Sequence, residues 1–315
     1  MSVKPNELQI IRTYDAPAKL VWEAWTDPEQ VGKWWGPRGF SITTKSKDLR
    51  VGGQWIYTMH GPDGTDYPNI TTYHVVEPHK KLVYDHGATP DRPKLFTVTV
   101  TFEEHKGKTT MNMIMALDTV EAAKETKKFI KKAGGNGTWD RLGEHLEKKI
   151  QNRDVFIINR SFEADLATVY KIWSNPEIYI RWLGPEGAQA KFVRADVRVG
   201  GTSLWSMNME DGNVKHGQLH YKDITPNAAF VYTQNFCDEQ GRPTPAPFPM
   251  SYPKSLRTTT TFSEEVPGQT RVTVTWEIDG TATAEERANF LGMRSVMTEG
   301  WSQSFDKIDE ILSKR

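Results

Sequence analysis

The chain has 315 residues, and its 40 lysine and arginine residues balance 40 aspartate and glutamate residues, so its formal net charge is zero. This balance leaves no general basic field for a phosphate backbone, so we expect no nucleic-acid partner. The single cysteine, Cys237, excludes an intrachain disulfide, and the sequence shows neither a signal-peptide core nor an apolar run of about 20 residues, so we expect a cytoplasmic protein without membrane insertion.

The first half of the chain begins with a strand and two short helices. Residues 8–14 alternate as a strand does, and Asp15 followed by Pro17 predicts a helix start with Asp15 as its N-cap. Thr26-Asp27-Pro28 then ends this helix and opens a shorter one that closes near Trp34.

A meander of strands and a terminal helix follow. Alternation of apolar and polar residues predicts strands over 41–51, 54–60, 70–76, 81–84, 96–103 and 109–117. Helical periodicity begins at Thr119, is interrupted by Ala133-Gly-Gly-Asn-Gly137, and resumes with Trp139, Leu142 and Leu146 on one face. A long antiparallel sheet with helices on one face is an α+β arrangement. A sheet that curves around one helix leaves room for a pocket between them.

The same order of residues is written a second time. The segment WTDPEQVGKWWGP at 25–37 returns as WSNPEIYIRWLGP at 173–185, and DLRVGG returns as DVRVGG. Pro28 and Pro176 lie 148 positions apart, as do Trp34 and Trp182. A constant offset over this distance predicts two tandem domains, at residues 1–152 and 153–315.

The second half carries an insertion and a long terminal helix. The offset between equivalent residues rises from 148 to 160 within residues 233–256, where prolines stand at 243, 245, 247, 249 and 253. Alternating prolines favour an extended path, so we expect a stiff loop across one end of the sheet. The spacing of Trp301, Phe305 and Ile308 predicts one last helix over 284–313.

These motifs resemble those of bacterial proteins in the activator of heat-shock-protein-90 ATPase homology family. The resemblance rests on W-[TS]-[DN]-P-E, W-x-G-P, D-x-R-V-G-G and the C-terminal GWSQSFDKI, and it covers each half of the chain once. It implies two START-like (SRPBCC) helix-grip domains, each a curved antiparallel sheet of about six to seven strands around a long C-terminal helix. Relatives in that superfamily include lipid carriers, cyclases, receptors and a co-chaperone, so the resemblance implies a fold and leaves the function open.

Large rings and methionines concentrate at repeated positions on the predicted inner faces. Such side chains form either a solid core or the wall of an apolar cavity, which is how small-ligand sites are commonly built. Trp34 and Trp182 could instead plug one end of each sheet. We interpret twelve residues as candidate cavity-lining residues: Trp34, Trp55, Tyr57, Met59, Tyr73, Trp139, Trp182, Trp205, Met207, Tyr221, Trp276 and Trp301.

Three functions are consistent with the sequence. The first is non-enzymatic binding of a hydrophobic or aromatic small molecule, the second is a cyclase- or aromatase-like enzyme, and the third is a protein-interaction module with a chaperone as partner. His60 would suit a cyclase as acid or base, but its equivalent in the second half is Asn208. Because no acid or base is duplicated, binding is favoured over catalysis and no catalytic residue is assigned. We expect no cofactor, and the scattered histidines do not suggest a metal site.

Overall fold

The chain folds as two compact units, Met1–Asn152 and Arg153–Arg315. The computed structural model describes residues 3–89, 91–132, 136–151 and 154–314. Each unit contains one seven-stranded antiparallel sheet with helices packed against it. Within the described residues, no helix has both the length and the apolar character that a membrane span requires.

The first unit is a meander whose first strand closes beside its last. The sheet order is β1-β7-β6-β5-β4-β3-β2, and every pairing is antiparallel. Two short helices follow the first strand, as predicted, and two more follow the last. The elements are β1 (Glu7–Tyr14), α1 (Ala18–Thr26), α2 (Pro28–Val31), β2 (Ser41–Lys47), β3 (Gln54–His60), β4 (Asp66–Glu77), β5 (Lys81–Ala88), β6 (Phe96–His105), β7 (Lys108–Ala116), α3 (Val120–Lys132) and α4 (Asn136–Gln151).

The second unit repeats this connectivity, with sheet order β8-β14-β13-β12-β11-β10-β9. The predicted α+β class, with two tandem helix-grip domains, is therefore confirmed. The elements are β8 (Phe156–Phe162), α5 (Leu166–Ser174), α6 (Pro176–Trp182), β9 (Gln189–Arg194), β10 (Thr202–Asn208), β11 (Val214–Thr225), β12 (Ala229–Phe236), β13 (Leu256–Val266), β14 (Gln269–Ile278), α7 (Ala284–Gly292) and α8 (Arg294–Ser313).

The C-terminal helical segment of the second unit is broken, so the prediction of one helix over 284–313 is wrong. Helix α7 ends at Gly292 and α8 begins at Arg294, with Met293 between them at φ −83° and ψ 1°. Glycine close to a helix end is a common stop signal. In the first unit, α3 ends at Lys132 and α4 begins at Asn136. Residues 133–135 of the predicted interruption lie outside the described residues.

The predicted N-cap of the first helix is also wrong. Helix α1 starts at Ala18, and Asp15 instead pairs with Lys108, with 2.6 Å between the carboxylate and the ammonium nitrogen. The backbone N–H of Ala18 donates to the Glu104 carboxylate at 2.8 Å, so a hairpin residue satisfies the helix start. In the second unit Asp165 is the N-cap, accepting from the backbone N–H of Thr168 at 2.9 Å.

The repeated W-x-G-P loop fixes the terminal helix of each unit against its sheet. Gly36 and Gly184 both have a φ of 95°, which favours glycine. A Cβ at Gly184 would lie 2.7 Å from the methyl carbon of Met207, so this glycine also permits close packing. The Arg141 guanidinium of α4 donates to the Gly36 carbonyl at 2.8 Å, and the Lys307 ammonium of α8 donates to the Gly184 carbonyl at 3.0 Å.

Candidate functional site

The second unit contains a cavity of about 570 Å³ between its sheet, helix α8 and the proline-rich insert. This volume lies within the range of small-molecule sites. Eight aromatic side chains line it: Tyr179, Trp205, Tyr232, Phe236, Phe248, Tyr252, Trp276 and Trp301. Four methionines also line it: Met207, Met209, Met293 and Met297. The wall is therefore mainly apolar, and the unbranched methionines can adapt to an irregular shape.

The floor of the cavity is the face of the sheet that carries Trp205. Directly opposed residues of antiparallel strands share a face, and the register pairs Trp205 with Gly217 and Gly217 with Phe236. A Cβ at Gly217 would lie 2.3 Å from the Trp205 ring, so the absence of a side chain lets the indole lie flat across the neighbouring strand. This close approach turns the Trp205 ring into part of the floor.

The insert between β12 and β13 covers one end of this floor. Phe248 contacts Phe236 edge to face, with ring centroids 5.6 Å apart, and also contacts Tyr252 at 5.1 Å. Tyr252 in turn reaches Phe290 of α7 at 6.3 Å. The Asn289 carboxamide of α7 donates to the Ser251 carbonyl at 2.8 Å. The insert is thus held to α7 by both ring contacts and a hydrogen bond.

Helix α8 forms the opposite wall and is held to the rest of the unit by ring contacts and by hydrogen bonds in its middle and C-terminal parts. Met297 and Trp301 are buried, and the Trp301 ring lies 5.9 Å from that of Trp276 on the sheet. Ser304 donates to the Gly184 carbonyl at 3.1 Å. Further along, the Arg160 guanidinium of β8 donates to the carboxylates of Asp309 at 2.7 Å and Asp306 at 3.0 Å.

The structure brings four of the six predicted residues of the second unit into the cavity wall: Trp205, Met207, Trp276 and Trp301. Trp182 and Tyr221 belong to the buried core beside it. Sequence reasoning missed the aromatic residues of the insert, Phe248 and Tyr252. It also missed Met293 and Met297, which precede Trp301 at steps of four residues, a usable helical signal.

In the first unit, the six predicted residues pack with one another and with neighbouring rings. Trp34, Trp55, Tyr57, Tyr73 and Trp139 are buried core residues, and Met59 packs against them. The Trp55 and Tyr57 rings are stacked, with centroids 4.0 Å apart. Trp35 lies 5.2 Å from Trp55 and 6.2 Å from Trp139.

Two substitutions between the repeats accompany this packing of rings in the first unit. At the repeat offset of 148, Trp35 corresponds to Leu183 and Trp55 corresponds to Ser203. Leu183 lines the cavity of the second unit. At these two positions the first unit therefore carries two indole rings, whereas the second unit carries the smaller side chains of leucine and serine.

A buried lysine in the first unit was not foreseen. The Lys47 ammonium lies 3.6 Å from the centroid of the Trp55 ring and 5.8 Å from that of Tyr73. Its nitrogen is buried and has no hydrogen-bond partner among the described residues. Burial lowers the pKa of Lys47 to about 7. The ring face of Trp55 stabilises the charged form only in part.

Replacing Lys47 by Met should stabilise the chain, and more so at lower pH. Between pH 7 and 10.5 the unfolded chain holds a proton on Lys47 that the folded chain releases, so this lysine makes folding less favourable as pH falls through that window. We expect the gain in the free energy of unfolding from Lys47→Met to be about 2–3 kcal/mol larger at pH 6 than at pH 9. Urea-induced unfolding at both pH values measures the gain. The exposed Lys45→Met is the control, and an equal gain at both pH values would rule out this account of Lys47.

The ionisable groups of the second unit's cavity favour binding rather than proton transfer. Burial raises the pKa of Tyr179 and of Tyr232, whose hydroxyl groups hydrogen-bond to each other, so both remain protonated at neutral pH. Of the charged lining residues, Lys254 and Glu299 are exposed, and Lys215 is half-buried with its ammonium nitrogen 5.8 Å from the centroid of the Phe248 ring.

His60, the acid–base candidate of the first unit, contacts two neighbouring polar side chains. The His60 ring nitrogens lie 2.6 Å from an Asp66 carboxylate oxygen and 2.8 Å from the Thr43 hydroxyl. His60 directly follows Met59 in β3, and successive side chains of a strand point to opposite faces. The His60 side chain therefore lies on the face opposite to Trp55, Tyr57 and Met59. Across the described part of the chain, no group of three or more histidine, cysteine, aspartate or glutamate residues is placed to hold a metal ion.

Comparison with known proteins finds one family in both units. The family described as "Activator of Hsp90 ATPase homolog 1-like protein" matches residues 15–147 and again residues 163–313. A search of curated proteins found no match.

Three solved structures illustrate the similarity. A crystal structure from Mycobacterium smegmatis is 24% identical, covers 51% of this chain and 91% of its own, and has a TM-score of 0.43. A solution structure from Staphylococcus epidermidis is 28% identical, covers 47% and 95%, and has a TM-score of 0.42. The di-domain ARO/CYC BexL of the BE-7585A biosynthetic pathway is 13% identical, covers 96% and 97%, and has a TM-score of 0.39.

Proposed function

The chain belongs to the Activator of Hsp90 ATPase homolog 1-like protein family, in two tandem copies, and from this premise we propose that its second unit binds a hydrophobic or aromatic small molecule without transforming it. The observation that carries the proposal is the cavity of about 570 Å³ lined by eight aromatic side chains and four methionines. Sites for small ligands are usually concave and mainly apolar, with few polar groups that set orientation.

Binding is favoured over a cyclase- or aromatase-like reaction by the state of the polar groups. A general base needs a pKa near the working pH. Tyr179 and Tyr232 have pKa values raised by burial, so their hydroxyls donate hydrogen bonds rather than accept protons at pH 7. The exposed Lys254 and Glu299 are better placed to contact solvent than to act on a buried substrate.

The first unit is proposed to have a structural role. Its inner rings contact each other at the position where the second unit is open, with Trp35 and Trp55 in place of Leu183 and Ser203. Duplication followed by filling of one copy would leave one binding site in each chain.

Titration with N-phenyl-1-naphthylamine, a neutral dye that brightens in apolar surroundings, tests the proposal. We expect saturable binding with a Kd on the order of micromolar, which corresponds to about −8 kcal/mol. Bound dye should also quench tryptophan emission, because Trp205, Trp276 and Trp301 line the cavity. A dye signal that rises linearly without saturation would argue against a binding cavity.

A further inference from the structure

One polar side chain lies in the middle of the apolar floor. Gln234 on β12 pairs with Leu219 of β11 on one side and with Leu256 of β13 on the other, so the three share a face of the sheet. Tyr232 and Phe236, two positions before and after it, lie on the same face. All five residues line the cavity.

The Gln234 carboxamide is available to a ligand. Among the described residues it has no hydrogen-bond partner, whereas the two other carboxamides and the serine hydroxyl of the wall are engaged. The Asn235 carboxamide donates to the Phe236 carbonyl at 2.9 Å, Gln303 accepts from the backbone N–H of Glu186 at 3.0 Å, and Ser304 donates to the Gly184 carbonyl.

The repeat also carries a polar side chain at this position. At the offset of 148, Gln234 corresponds to His86, which in the first unit stacks on Phe96 with ring centroids 5.0 Å apart. A ring therefore already covers the polar group in the first unit. In the second unit the equivalent space belongs to the cavity, and Gln234 faces it uncovered.

Covering Gln234 with a plain hydrocarbon would bury a carboxamide with no partner, which is unfavourable. A carboxamide can both donate and accept, so a hydroxyl or a carbonyl oxygen satisfies it equally. We propose that Gln234 hydrogen-bonds an oxygen on the ring body of the ligand, and that the cavity selects oxygenated aromatic or alicyclic molecules over plain hydrocarbons. This inference rests on the proposed function of the cavity.

Naphthalene and 2-naphthol, which differ by one hydroxyl, test this selection. Equilibrium dialysis gives the Kd of each probe for the wild-type chain and for Gln234→Met, which keeps side-chain length and removes the amide. We expect the preference for 2-naphthol, taken as the ratio of the two Kd values, to fall about tenfold in Gln234→Met. The affinity for naphthalene should stay equal or improve. Gln234→Leu should repeat the result.

Gln189→Met is the matched control, because Gln189 is an exposed residue of β9. It should keep the wild-type ratio. A ratio unchanged in both Gln234 variants, or reduced equally by Gln189→Met, would overturn the assignment of Gln234 and leave the binding proposal standing. If neither probe binds the wild-type chain, the proposed function and this inference both fail.

Discussion

Gly300→Phe should abolish dye binding by the second unit, raising the Kd of N-phenyl-1-naphthylamine at least about fiftyfold. Gly300 lines the cavity on α8, between Met297 and Ser304 on the same helical stripe. A Cβ built there meets no atom within 4 Å, so a benzyl group can enter the open space without displacing the wall. Glycine is unfavourable inside a helix because its backbone loses more conformational freedom on folding. Its replacement by phenylalanine should therefore not weaken the helix.

Gly292→Phe provides a matched control for this experiment. Gly292 is the last residue of α7, is exposed, and likewise has no atom within 4 Å of a built Cβ. This variant carries the same added ring on a helix outside the cavity lining, so its dye affinity should stay within about twofold of wild type. Wild-type affinity in Gly300→Phe would show that the dye binds elsewhere.

Trp182→Ala should lower the free energy of unfolding by about 3–5 kcal/mol. The Trp182 side chain is fully buried, its ring centroid lies 4.8 Å from that of Trp173 and 4.5 Å from that of Tyr179, and its indole N–H donates to the Ile172 carbonyl at 3.2 Å. Trp34, its counterpart, donates to the Ala24 carbonyl at 2.9 Å. We therefore expect Trp34→Ala to be as severe, which makes the two variants a test of the repeat.

The phenylalanine variants separate the ring from its hydrogen bond. Trp182→Phe keeps an aromatic ring and loses the N–H, which should leave the Ile172 carbonyl unpaired and reduce stability by about 1–2 kcal/mol. Urea-induced unfolding of Trp182→Ala, Trp34→Ala, Trp182→Phe and the matching Trp34→Phe supplies the comparison. A loss in the free energy of unfolding below about 1 kcal/mol in Trp182→Ala would mean that this ring does not stabilise the core.

The repeat made the fold predictable. A shared offset over Pro28, Trp34 and their counterparts indicated two copies of one domain, and period-two alternation located the strands of each meander. Family membership, expected from the motifs, is confirmed in both halves. The break between α7 and α8 was missed because the apolar stripe continues across it, although Gly292 was a visible signal.

The open cavity was less predictable, because both halves place large rings on the same face. Leu183, which replaces Trp35 of the first unit, lines the cavity of the second unit, and Ser203 replaces Trp55. These exchanges are visible in the sequence, but their effect requires the positions of the neighbouring rings. The contribution of Phe248 also depended on the path of an irregular insert, which periodicity does not describe.

Lys47 shows how a local irregularity can change the face of the sheet on which a side chain lies. The segment Thr43-Thr44-Lys45-Ser46-Lys47 is polar and suggests a solvent-facing strand. A register shift between Thr44 and Ser46 places Lys47 opposite Trp55, which turns its side chain to the inner face. A bulge of this kind exchanges the faces of all following residues, and the sequence pattern carries no clear signal for it.

The number of dye molecules bound by each chain tests the central claim most directly. Equilibrium dialysis of the wild-type chain against saturating N-phenyl-1-naphthylamine should give one molecule per chain, because the second unit is open and the rings of the first unit pack together. The same measurement on Gly300→Phe should give none. Two equivalent sites in the wild-type chain, or no saturable site at all, would contradict the assignment of a single cavity to the second unit.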